Sequence, residues 1–355
     1  MQDLHLDGFA MWSLWQPERR MFFNSFFVRR AEGNIVVDPL ALSAEQDALL
    51  EERGGVAWIV ITNRDHERKA REIAARFGAR LAAGAQEAAL LSGPLDRTLH
   101  EGDSLFEGAT ILELPGGKTP GEIAIHLAEH RAAILGDALW GDPAGCLRLP
   151  PDEKLADPRA AVLGLRKIWA LRLETLLVGD GACLFAGADK IIGDCLHARR
   201  DVYVNRINLD ELTGKSFSDV GGKYEATSYE IGLYIGARKL GYRLVTLPPG
   251  KISCPLHAHA AEEELFLVLE GEATIRTLRG DVRCRAGDAI AFPVGDIGTH
   301  TLVNTGTKPC RVFMLGTDDD NESATIPTPT KWRWTRAILS CALLHPWIIT
   351  RANEP

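Results

Sequence analysis

Three histidines and one glutamate in the C-terminal half have the residue types and spacing to hold a metal ion. His257 and His259 flank Ala258, so on an extended stretch both imidazoles project from the same face. Glu264 follows at an odd offset from His259, which requires a turn through Ala260-Ala261-Glu262 if all three side chains are to converge. After that turn Glu264, Phe266 and Val268 share a face, which sets the carboxylate beside apolar neighbours. His300 arrives on a later strand, beyond a Pro293-Val294-Gly295 turn. Three imidazoles and one carboxylate suit a divalent transition metal: Mn, Fe, Co, Ni or Zn. On a six-coordinate ion, four protein ligands leave two positions open, and open positions distinguish a catalytic site from a structural one.

The elements that must position these residues differ between the two halves of the chain. Up to about residue 196, strand-like and helix-like stretches alternate. Strands are expected at 25–28, 34–38, 56–62, 110–114, 122–127, 132–135 and 175–178, with helices at 42–53 and 67–77. Gly78 closes the second helix. This alternation predicts an α/β layered domain. From about Arg199 helical periodicity thins, and short apolar runs separated by Gly and Pro turns predict an all-β barrel or sandwich. The expected division is 1–198, 199–317 and a tail at 318–355 that begins acidic and turns apolar. That tail reads as a docking helix or an interaction segment.

The composition narrows the function classes. The chain has 355 residues, 46% hydrophobic and 25% charged, which is an ordinary globular balance and long enough for two domains. Forty Lys+Arg against 48 Asp+Glu give a net charge of -8 with no basic block, so nucleic acid is not an expected partner. Seven cysteines lie scattered with no CxxC pair, which argues against a disulfide framework and for a reducing compartment. No apolar run reaches the roughly 18 residues of a spanning helix, and no signal-like start is present, so a soluble cytoplasmic protein is expected. Gly116-Gly117-Lys118-Thr119 is not a phosphate loop, because Leu112 stands where that motif needs its first glycine.

Residues 250–304 resemble the cupin family in both of its motifs. The first reads Gly250…His257-Ala258-His259…Glu264…Gly271 and the second Gly287…Pro293-Val294-Gly295…His300…Asn304, with one extra residue after Gly250. The resemblance implies a double-stranded β-helix barrel with His257, His259, Glu264 and His300 as ligands of one divalent metal. Phe266, Val268 and Phe292 would supply an apolar pocket wall.

Residues 20–190 resemble the metallo-β-lactamase fold, an αββα arrangement. Its landmarks here are Val36-Val37-Asp38-Pro39, Asn63-Arg64-Asp65-His66-Glu67-Arg68, Lys118-Thr119-Pro120-Gly121-Glu122, Gly136-Asp137 and Gly179-Asp180-Gly181. Active members carry a THxHxDH run, a His before TPG and a His between two glycines. Here Asn63, Asp65, Glu67, Arg68, Lys118 and Asp180 stand at those ligand positions, and only Asp137 is retained. The resemblance therefore implies a degenerate centre without metal, in which Lys118 is expected to pair with Asp65, Asp137 or Asp180. The fold class expected for the whole chain is α+β multidomain.

These readings make the chain a cupin metalloprotein, favoured as an enzyme of oxygenase, isomerase or decarboxylase type acting on a small molecule, with the N-terminal domain as scaffold. A non-enzymatic small-molecule-binding or sensing protein is the alternative, and a hydrolase working from the N-terminal domain the weaker one. A homo-oligomer, such as a homodimer, is expected from the apolar tail, including Trp332, Trp334, Leu343, Leu344, Trp347 and Ile348.

Overall fold

The structure, a computed structural model, describes residues 1–319, 322–326 and 332–335. The chain divides into two compact units, the first Met1–Val204 and the second beginning at Asn205.

The first unit is built on two sheets. The larger runs in chain order: β1 (Gln2–Asp3), β2 (Phe9–Gln16), β3 (Met21–Val28), β4 (Ile35–Val37), β5 (Trp58–Ile61), β6 (Arg80–Gly84) and β7 (Arg97–Leu99). The smaller is ordered β12-β11-β10-β9-β8, from β8 (Ser104–Phe106), β9 (Ala109–Glu113), β10 (Ile123–Leu127), β11 (Ala132–Leu135) and β12 (Thr175–Val178). Helices α1 (Ala44–Glu52), α2 (Ala70–Phe77), α3 (Pro158–Gly164), α4 (Arg166–Ala170) and α5 (Ala188–Ala198) complete it.

Strand alternation explains the layering. Phe26, Val37, Val60 and Ala82 of the larger sheet meet Ile111, Ile123, Ile125 and Ile134 of the smaller in one buried cluster. The opposite faces serve the helices. Phe27, Val36, Ile59 and Ile61 pack against Leu50 of α1 and Ile73 of α2. Ala133, Leu135, Leu176 and Val178 pack against Ile168 of α4 and Ile192 of α5. The result is the expected αββα order, since strands buried on both faces need apolar residues at every position.

Several boundaries differ from the sequence expectation. The hairpin of β2 and β3 pairs Phe9↔Val28 through Gln16↔Met21, so a strand precedes the first one expected and β3 starts at Met21. Alpha helix α2 starts at Ala70 rather than Glu67, because Arg64–His66 forms a short 3-10 turn and Arg68 adopts a positive φ of 39°. Gly78 closes α2 in the left-handed conformation, φ 67°, where a Cβ would be strained.

The strands described in the second unit pair antiparallel. A six-stranded sheet is ordered β13-β14-β15-β22-β17-β20. Its strands are β13 (Lys215–Ser218), β14 (Glu225–Glu230), β15 (Leu240–Leu247), β17 (Glu264–Glu270), β20 (Ala289–Phe292) and β22 (Cys310–Thr317). A three-stranded sheet, β19-β18-β21, combines β18 (Glu272–Thr277), β19 (Gly280–Arg285) and β21 (His300–Val303). Leu247, Phe266, Val268 and Val312 from the first sheet meet Ile275, Cys284 and Leu302 from the second in a single core, as a cupin barrel requires.

A third sheet, β16-β23-β24, joins β16 (Ala258–His259) to β23 (Ser323–Ile326) and β24 (Trp332–Thr335). Strands stand where a docking helix was one expectation for the tail, and β23 pairs with the strand that carries His259. The apolar stretch from 336 onward lies outside the described residues.

Candidate metal centre and its degenerate counterpart

The cupin centre follows from strand register. His257 bridges to His300 across the backbone, with His257 N and His300 N each donating to the other's carbonyl at 3.1 and 2.8 Å. His259 lies on β16, and Glu264 opens β17, paired to Phe292 of β20 and Gly316 of β22. The turn expected between His259 and Glu264 is present. His257 Nε2 lies 3.1 Å from His259 Nε2, and Glu264 Oε2 lies 3.0 Å from His259 Nε2 and 3.2 Å from His300 Nε2. One ligand atom from each of the four residues lies within 4.8 Å of the others.

Hydrogen bonds on the far ring nitrogens decide what these atoms offer. His257 Nδ1 donates to Pro255 O at 2.9 Å and His300 Nδ1 to Gly298 O at 2.8 Å. His259 Nδ1 donates to Glu322 Oε1 at 3.0 Å. Carbonyl and carboxylate oxygens only accept, so each Nδ1 carries a proton, and in its neutral form each ring turns its Nε2 lone pair inward. The Nε2 atoms of His257 and His259 lie 3.1 Å apart, and with both rings neutral their lone pairs repel unless a cation sits between them. Glu264 Oε2 and His300 Nε2 are buried and, among the described residues, without a hydrogen bond of acceptable geometry despite their proximity. Burial alone would raise the Glu264 carboxyl, but protonated His259 and His300 beside it would hold it well below the usual carboxylate range. This donor set fits a divalent transition metal.

Of the residues expected to form a pocket wall, Phe266 and Phe292 lie beside His300. Phe292 stacks on His300 with ring centres 3.7 Å apart, and Phe266 meets both rings edge-on at 4.7 and 5.1 Å. Val268 is buried in the same core, one alternation further along β17.

In the first unit, most of the expected degenerate positions come together at the ends of the two sheets. Lys118 Nζ lies 2.7 Å from Asp137 Oδ2 and 2.7 Å from Asp65 Oδ2. Arg68 Nη2 lies 2.9 Å from Asp180 Oδ1 and 3.2 Å from His66 Nε2, with Nη1 donating to Asn24 O. Asn63 is buried, its Oδ1 accepting from Asp65 N. Glu67 does not join them. Its carboxylate faces away, bonded to Arg71 and Ser92, because the 3-10 turn rotates it off the site.

Two members of this centre, Asp38 and His66, were not singled out from the sequence. Asp38 Oδ2 accepts from His66 Nδ1 at 2.8 Å and from Thr62 Oγ1 at 2.6 Å, while its Oδ1 takes Thr62 N. It is fully buried at a positive φ of 51°, a strained conformation held in place by those bonds. His66 Nε2, Asp137 and Asp180 have the composition of a small metal site. Every one of those ligand atoms, however, already faces a tethered cation: Arg68 reaches His66 and Asp180, and Lys118 reaches Asp137. A dication brought there would meet two fixed positive charges, and this donor set does not fit one.

The charges explain the titration behaviour. Burial would raise Asp137, but His66 and Lys118 beside it bring it down to about 2. Burial, reinforced by Asp137, pushes Asp180 up to about 6 despite His66 and Arg68. Burial also raises Glu122 well above the usual range, again reinforced by Asp137.

Over residues 1–197, more than half its length, the chain belongs to the metallo-beta-lactamase superfamily. Residues 243–316 match the cupin domain family. Hydroxyacylglutathione hydrolase from Acidiphilium cryptum (strain JF-5) is 31% identical over 159 residues, which are 43% of this chain and 62% of that protein. The chain thus matches less than two thirds of that relative. Among solved structures, a metallo-β-lactamase from Pseudomonas aeruginosa in its mono-zinc form aligns with 16% identity and TM-score 0.45, over 56% of this chain and 95% of that one. A sugar phosphate isomerase of the cupin superfamily from Silicibacter pomeroyi aligns with 25% identity and TM-score 0.33, over 37% of this chain and 88% of that one. No helix among the described residues is long and apolar enough to cross a membrane.

Proposed function

We propose that this chain is a metal-dependent cupin enzyme acting on a small molecule, with the metallo-β-lactamase-like domain as a scaffold that holds no metal. The observation that carries this reading is the inward convergence of the Nε2 atoms of His257, His259 and His300 on Glu264 Oε2, two of these four atoms being buried without a hydrogen bond. His257, His259, Glu264 and His300 would hold one Mn, Fe, Co, Ni or Zn ion, which when bound supplies a Lewis acid or a redox centre for oxygenase, isomerase or decarboxylase chemistry. Glu264 offsets its charge. Phe292 and Phe266 orient His300 and present an apolar wall that excludes water from one side. The domain division at 1–198, 199–317 and 318–355 belongs to the same reading, as do a cytoplasmic location and a homo-oligomeric state. Leu278 and Val282, both at least half exposed on the β18–β19 hairpin, are the apolar surface that favours self-association.

Elemental analysis of the purified protein tests the metal, and a panel of small hydroxy acids, keto acids and sugar phosphates under air tests turnover. One metal per chain, lost with turnover in His257→Ala, is the expected result. Turnover that survives His257→Ala would place the chemistry elsewhere.

A further inference from the structure

The turn between His259 and Glu264 must reverse the chain so that two ligands at an odd spacing converge. Its conformation is held from outside the cupin motifs. Ala260 N donates to Ser323 O at 3.0 Å, Ala261 N and Glu262 N donate to Glu322 Oε2 at 2.9 and 2.7 Å, and Glu263 N donates to Thr317 Oγ1 at 3.0 Å. Four consecutive amides are therefore captured by Thr317, Glu322 and Ser323. The other oxygen of the same carboxylate, Glu322 Oε1, takes the Nδ1 proton of the ligand His259 at 3.0 Å, and Glu322 is buried. Next to it, β23 pairs Ala324 with His259 and Thr325 with Ala258.

We propose that Glu322 is a positioning residue for the metal centre, and that Thr317 and residues 322–326 act as a strap that completes it. One carboxylate does two jobs. It fixes the tautomer and ring orientation of His259, and it gathers the amides of the turn that aims Glu264. The carboxylate also makes His259 a stronger donor, as such outer partners do for ligating imidazoles. The proposal rests on the metal-centre reading above and adds a dependence on a residue beyond the barrel's last long strand, β22.

The experiment uses the full chain as wild type, Glu322→Ala and Glu322→Gln. Zn(II) affinity is measured by chelator competition, Co(II) absorption reports the ligand field, and hydrogen exchange with metal removed reports on peptides spanning 258–265. Glu322→Ala is expected to weaken affinity by about 10- to 100-fold, shift the Co(II) bands even at saturation, and speed exchange of the turn amides. Glu322→Gln keeps an acceptor for His259 Nδ1 but a poorer anchor for the turn, so it is expected to recover the Co(II) spectrum while its turn amides still exchange fast. Glu322→Ala with affinity within about twofold of wild type and unchanged exchange would overturn the proposal. A wild type that takes up no metal would remove the metal-centre reading. The strap would then be judged on exchange alone, where faster exchange in Glu322→Ala supports it and unchanged exchange ends it.

Discussion

The two centres of this chain start from the same physical problem, carboxylates and imidazoles gathered in the interior of a β scaffold, and they solve it differently. In the cupin centre every imidazole is pinned through Nδ1 to an acceptor, so in the neutral form the inward ring atoms are all lone pairs. In the metallo-β-lactamase-like centre Lys118 and Arg68 occupy the space between Asp65, Asp137, His66 and Asp180. The difference is one of supply. A tethered ammonium or guanidinium neutralises buried carboxylates at all times, whereas a site made only of acceptors must take its cation from solution. The first unit thus keeps its acids and sets two basic side chains, Arg68 and Lys118, from turns beside them.

The largest expected effect removes one side of the contrast. His257→Ala/His259→Ala should take metal content from about one per chain to none, because two of four ligands vanish together. Elemental analysis reads this directly, and full retention in the double variant would move the metal to another site.

Next comes the other side. Lys118→Met leaves Asp137, almost fully buried, without its nearest cation, and should lower the stability of the first unit by about 3 kcal/mol, the low end for a broken buried pair because Asp65 is partly exposed. Calorimetry should show its transition about 6–12 °C lower, with metal content unchanged. An unaltered transition would mean that Lys118 carries no structural charge.

Metal removal sharpens the comparison from the cupin side. Stripping with chelator should destabilise the second unit alone, by about 2.7 kcal/mol if free metal had been held at a hundred times its dissociation constant. A shift in both transitions would show that the first unit holds metal as well.

The smallest effect is a pH dependence. Asp180 titrates at about 6 in the folded protein, against an ordinary value of 3.8, so between these values the folded state binds the proton and the unfolded chain does not. Its contribution to stability is thus present at low pH, declines as pH rises from about 4 to about 6 and levels off above. Asp180→Asn cannot titrate. Relative to wild type, the variant should gain about 1–3 kcal/mol on going from pH 4.5 to 7, as read by urea unfolding at both values. A difference independent of pH would mean that Arg68 keeps Asp180 ionised throughout. Asp137 works in the opposite sense, adding stability above pH 3.8 that is lost as pH falls toward 2.

How much of this was legible depends on how local each signal is. The spacing of His257 and His259 on an extended stretch, the odd step to Glu264 and the alternation through Phe266 and Val268 are read from neighbours along the chain. The replacement of imidazoles by Asp65, Lys118 and Asp180 is equally plain once the motifs are aligned. Glu67 shows where local reading stops, since a 3-10 turn and a positive φ at Arg68 rotated it toward Arg71 and Ser92. His66 stood within the quoted run but between expected ligand positions. The strand pairing that brings Asp38 alongside gives its Nδ1 a carboxylate partner. Glu322 gave no signal, because it belongs to an acidic stretch that reads as solvated.

The sequence by itself determined the two domain families, the candidate ligand set of the cupin centre and the replacement of imidazoles in the other, because these rest on residue identity at fixed short spacings. Tertiary structure decided which atoms of those residues face inward. It placed Glu322 under His259 and the turn, chose Arg68 and Lys118 as the cations that fill the degenerate centre, and turned Glu67 away. Those outcomes depend on contacts between residues far apart in the chain, such as Arg68 with Asp180 and His259 with Glu322. The free energy of a buried charge is set by what surrounds it within a few ångströms, and only the folded chain specifies that surrounding.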